Sequence, residues 1–118
     1  MADEAPDRDE SGKVPDGAAV FPEIPAELNV NPLLLAVLHA CVFAGGSDEA
    51  IVQPDAGAEA LEFMAGYLQR LAGPELQRVR EDMDVLVSYA KQQGWPKQLT
   101  LFLKTFLDDF GIGTDSEP

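Results

Sequence analysis

From Leu33 to Ala44 the chain is apolar at every position except His39. Such a run has no polar face, so it predicts a helix buried on all sides, within this chain or against a partner. Asn31 before it is a good N-cap, Pro32 suits the first helical position, and Gly45-Gly46 ends the run. This sets the first helix at about residues 32–44. The next segments alternate more clearly. Leu61, Met64, Ala65, Leu68, Leu71 and Ala72 recur at intervals of three and four, predicting a helix over 55–72 with Asp55 as its cap. Leu76, Val79, Met83, Leu86 and Ala90 repeat with three-four-three-four spacing over 74–93, the seam of a helix packed in a bundle. Leu99, Phe102, Leu103, Phe106 and Phe110 form the stripe of a last helix over 96–110, with Gly111 at its C-terminus.

Gly73-Pro74 and Gly94-Trp95-Pro96 separate the last three segments. Corners this short oblige consecutive helices to lie antiparallel. The expected fold is therefore all-α: an antiparallel four-helix bundle-like domain over residues 31–113. Residues 20–30 precede it, with Pro22 and Pro25 enforcing an extended path and Phe21, Ile24, Leu28 and Val30 offering side chains to bury. That reads as an extended Pro-rich arm, packed on its own core or offered to another protein. Residues 1–19 combine Asp, Glu, Gly, Ser and Pro with almost no large apolar group, and are expected to be a disordered acidic tail.

Charge narrows the functions this domain can have. The 118 residues carry 21 acids against 8 bases, a net charge of −13. Residues 1–29 hold eight acids and two bases, so more than half of the excess lies outside the tail and arm. An acidic surface repels nucleic acid and anionic lipid, which are held through Lys and Arg, and attracts basic proteins. The Leu33–Ala44 run falls well short of the roughly 20 residues needed to span a bilayer. The acidic start, Met1-Ala2-Asp3-Glu4, lacks the basic character of a secretory leader, and Cys41 is the only cysteine. Both point to the cytoplasm, without nucleic-acid or membrane partners.

No set of residues carries recognisable chemistry. His39 and Cys41 are two apart, so on a helix they diverge by about 200°, and no other His or Cys exists to complete a zinc tetrahedron. Both are expected in the core. Asp108-Asp109 lacks the spaced ligands of a calcium loop, and Asp109-Phe110-Gly111 stands without the other elements of a kinase. Ser88 has no glycine elbow and no histidine within its helix. The chain is therefore read as a non-enzyme with no cofactor and no metal.

Residues 54–113 resemble a group of small uncharacterised bacterial all-helical proteins. The likeness lies in Pro54-Asp55-Ala56, Leu61-Glu62, Tyr67-Leu68-Gln69-Arg70-Leu71, Gly94-Trp95-Pro96, and Phe106-Leu107 through Phe110-Gly111. These are caps and core positions. The resemblance implies a bacterial helical domain and brings no activity with it.

What remains is recognition. The expected function is a non-catalytic acidic protein-binding module that neutralises or regulates a basic protein partner. The candidate contact residues are Glu75, Glu81, Asp82 and Asp84 on the polar face of the third helix, with Trp95 and Phe21 as aromatic anchors. The alternatives are a small-molecule-binding helical bundle and a homo-oligomeric structural protein that self-associates through the first helix.

Overall fold

The computed structural model describes residues 16–113. It contains four helices: α1, Pro32–Gly46; α2, Pro54–Leu68; α3, Gly73–Gln93; and α4, Lys97–Asp109. A single 3-10 turn, Ala26–Leu28, lies in the arm. Among the described residues there is no strand. The architecture is all-α and bundle-like, made of two helical hairpins: α1 packs along α2, and α3 along α4.

The helix ends follow local chemistry. Asn31 caps α1, its side-chain oxygen accepting the Leu33 N–H at 2.8 Å, with Pro32 in the first turn. α1 runs through Gly45-Gly46 to Ser47, two residues beyond the glycine break expected from sequence. α2 starts earlier and stops earlier than the apolar pattern indicated. Gln53, not Asp55, caps it, accepting the Ala56 N–H at 2.8 Å, and the helix closes at Leu68. Gly94 ends α3 in the left-handed region at φ 69°, where a side chain would be strained.

The arm is tied at both ends. The Asp48 N–H donates to the Gly17 carbonyl at 2.8 Å, and the Ala19 N–H donates to Ser47 Oγ at 2.8 Å. Gly17 and Ala19, expected in the tail, are thus bonded to the connection between α1 and α2. Residues 1–15, the bulk of the expected disordered tail, lie outside the described residues.

The core lies between α1, α3, α4 and the arm. Leu34, Leu38 and Cys41 of α1 meet Leu76, Met83, Leu86 and Ala90 of α3, Leu103 and Phe106 of α4, and Phe21 and Val30 of the arm. α2 adds no side chain to the fully buried set. Its Leu61, Met64 and Leu68 pack half-buried against the core, and its one buried residue is Gly57. A Cβ at Gly57 would stand 2.6 Å from the Ala44 carbonyl oxygen, so the tightest α1–α2 approach falls there. Gly66, in the middle of α2, has open space around it.

α1 departs from expectation in a consequential way. It is not buried on all sides. Only Leu34, Leu38 and Cys41 are buried, while Leu33 is 76% exposed and Ala36, His39, Ala40 and Phe43 face water. Three neighbours (α2, the core helices and the arm) leave one side of α1 uncovered.

Candidate functional site

The six residues proposed from sequence do not form one site. Glu75, Glu81 and Asp84 are exposed on α3. Glu81 accepts a hydrogen bond from Gln77 Nε2 at 3.3 Å, one turn away. Asp82 sits one residue from Glu81 yet is buried, its side chain only 7% exposed. Its Oδ2 accepts the Asn31 N–H at 3.1 Å, and its Oδ1 accepts from Arg78 Nε at 3.2 Å. Arg78 Nη2 in turn donates to the Asn29 carbonyl at 3.2 Å. The Arg78–Asp82 pair, one turn apart on α3, therefore clamps the junction between arm and α1 onto α3. Asn29, at φ 61°, turns the chain there. Asp82 is removed from the contact set, because its carboxylate is engaged by the protein's own backbone and by Arg78.

Phe21 is removed for a similar reason. It is buried, with its ring edge-on to Trp95 at 5.7 Å. Trp95 is half-buried and also meets Tyr89 edge-on at 5.8 Å. The Gly94-Trp95-Pro96 corner is thus an aromatic joint holding the arm to α3, and Trp95 is engaged there by the protein's own rings rather than offered as a partner anchor.

Of the two residues expected in the core, only Cys41 is there. Burial pushes its thiol up to about 11, so it stays protonated and unreactive near neutral pH. His39 is on the exposed side of α1. Among the described residues no three His, Cys, Asp or Glu side chains come together in a way that could hold a metal ion. Among the same residues no helix is long and apolar enough to cross a membrane.

Two features lie outside the six residues proposed from sequence. The first is an apolar face on the α1–α2 hairpin. Leu33, Ala36, Ala40 and Phe43 line the outer side of α1. On α2, Phe63 is 65% and Tyr67 64% exposed. Gln69 fixes which way α2 is turned: its Nε2 donates to the Phe110 carbonyl at 2.8 Å, so that flank faces the end of α4. Leu61 contacts α1 at Gly45. At about 100° per residue, Tyr67 lies about 160° and Phe63 about 120° from Gln69, and both point away from Leu61, so they stand on the outer side of α2. Arg70 borders this face, its guanidinium 4.9 Å above the Tyr67 ring. The signal for the face was present in the charge-free run of α1, which predicts burial without saying in what.

The second feature is a cleft of about 450 Å³ where α1, α3 and the end of α2 diverge. Leu34, Val37, Leu68, Leu71, Val79 and Phe106 line it, with Glu75 and Arg78 among its polar groups.

No family model, curated protein or solved structure matches this chain.

Proposed function

We propose that this chain is a non-catalytic protein-binding module and that it docks its partner on the apolar face of the α1–α2 hairpin. One observation carries the reading. Leu33, Phe63 and Tyr67 are each about two-thirds exposed or more, on the two helices of one hairpin whose α1 also exposes Ala36, Ala40 and Phe43, in a chain with a net charge of −13. Single exposed apolar side chains are ordinary on a protein surface, but Leu33, Ala36, Ala40 and Phe43 follow one another along one side of α1, and a continuous run of that kind marks an interaction site. Large aromatic side chains are also the residues that concentrate binding energy at interfaces.

The acidic face of α3 supports a basic partner less well than it did from sequence. With Asp82 engaged, Glu75, Glu81 and Asp84 remain, spread over about three turns. They keep the module soluble and repel competing acidic proteins. A second reading, a bundle that binds a small apolar molecule, draws on the cleft near Leu34 and Phe106. Its volume lies within the range of ligand pockets, and most of its lining is apolar.

Affinity capture with the tagged chain separates the two. The parent is compared with a Phe63→Lys, Tyr67→Lys variant, and the eluates are analysed by mass spectrometry for proteins and for extracted small molecules. A protein recovered in stoichiometric yield with the parent and lost with the variant supports the docking face. A small molecule carried equally by both, with no protein lost, replaces that reading with the cleft.

A further inference from the structure

We infer that the occupant of the apolar face is a second copy of this chain, with the two α1 helices crossing antiparallel about a two-fold axis near residue 38. The inference rests on the docking-face reading and names its partner. Three independent observations lead to it.

The first is charge. Pro32–Gly46 contains no Asp, Glu, Lys or Arg, in a chain of 21 acids and 8 bases. A basic protein gains nothing from a surface without acids and would be drawn elsewhere on the molecule. Two copies of an acidic chain have the opposite need. They repel wherever their carboxylates face each other, and α1 is where they meet without that repulsion.

The second is shape. The exposed stripe of α1 reads Leu33, Ala36, Ala40, Phe43, with spacing three-four-three. That is the spacing of a helix–helix seam. The order is large, small, small, large, and it is symmetric about residue 38. A two-fold interface requires that if residue i meets j, then j meets i. Antiparallel pairing about residue 38 sets Leu33 of one copy on Phe43 of the other, and Ala36 on Ala40. The alanines at the crossing let the two backbones approach, and the large side chains close the ends. His39, the one polar residue of the exposed side, lies at the edge of this stripe rather than in it.

The third is area. Phe43, Phe63 and Tyr67 are 40%, 65% and 64% exposed, and Leu33 is 76% exposed. Aromatic side chains of about 150–250 Å² each leave these three with roughly 300 Å² uncovered. Leu33 and the exposed alanines of both helices raise the apolar surface exposed by the hairpin to on the order of 600 Å². That approaches the roughly 800 Å² per partner of a standard interface.

Sedimentation equilibrium tests the inference, run on the purified chain with Leu33→Glu and Ala40→Glu variants alongside. The expected result is a parent of twice the 12.7 kDa chain mass, and both variants at the chain mass with unchanged far-UV circular dichroism. A second measurement holds even where a variant folds poorly. Ala36→Cys and Ala40→Cys chains are mixed and oxidised, with Cys41 left in place because its buried thiol does not compete. Cross-linking is expected to be at least tenfold greater in the mixture of the two than for either variant alone. A monomeric parent at about 100 μM overturns the inference. In that case the docking face itself stands or falls by the affinity capture. A parent dimer that survives both glutamate variants, with no preferential cross-link, places self-association elsewhere and also overturns it.

Discussion

Asp82 and Glu81 are adjacent, identically charged, and opposite in role. Glu81 points to water and Asp82 holds the Asn31 N–H and Arg78 in a buried position. Asp82 is buried while Arg78 is half exposed, so removing the carboxylate costs mainly the acceptor of the Asn31 N–H, about 1–3 kcal/mol. Asp82→Ala is therefore expected to lower the unfolding free energy measured in urea by that much, whereas Glu81→Lys changes stability by no more than about 0.5 kcal/mol. Equal effects of the two would refute the clamp. The hydrophobic pattern placed both residues on one polar face, because it assigns a face to water without seeing what crosses it. The arm crosses this one. Cys41 gives a second residue-level expectation. Its thiol is raised from 9.0 to about 11 by burial, so the fold favours the protonated form. An unfolded chain loses that proton first as pH rises. The associated stability is intact below about pH 9 and is lost as pH climbs towards 11. Between pH 8 and 10.5 the parent should lose more stability in urea than Cys41→Ala does, and in native protein the thiol should react with a disulfide reagent far more slowly than in denaturant.

At the scale of elements, the chain's punctuation was highly legible. Asn31-Pro32, Gly73-Pro74 and Gly94-Trp95-Pro96 act through backbone geometry alone, and each stands at a helix boundary. The seam of α3 was legible for the same reason: Leu76, Met83, Leu86 and Ala90 are all buried. Legibility failed where burial depends on neighbours. α1 has no polar face, so its sequence could not say which side lacked a neighbour. α2 has a regular stripe but sits at the edge of the bundle, and only a glycine of it is fully enclosed. That glycine offers a test. Gly57→Ala drives a Cβ to 2.6 Å from the Ala44 carbonyl oxygen and is expected to cost about 1–3 kcal/mol. Gly66→Ala meets nothing within 4 Å and is expected to add about 0.5–1 kcal/mol, the usual gain in a helix interior. Thermal melts of the two variants should thus shift in opposite directions. A shift in the same direction would mean that α2 does not lie against α1 as described.

At the scale of the whole molecule, an acidic chain carries an apolar helix without a charge, α1, and these two properties make different demands on a partner. Attraction to a basic protein and burial of an apolar surface against an identical copy respond to salt with opposite sign. The Debye length shrinks from about 30 Å at 0.01 M to about 3 Å at 1 M. Screening therefore removes attraction between unlike charges and also removes repulsion between two copies that each carry −13. The direct measurement is the dissociation constant of self-association at these two ionic strengths, read by sedimentation velocity across a dilution series. The account predicts measurable association that tightens at high salt and disappears in Leu33→Glu at both. Association that weakens as salt rises, or that Leu33→Glu leaves unchanged, would contradict it.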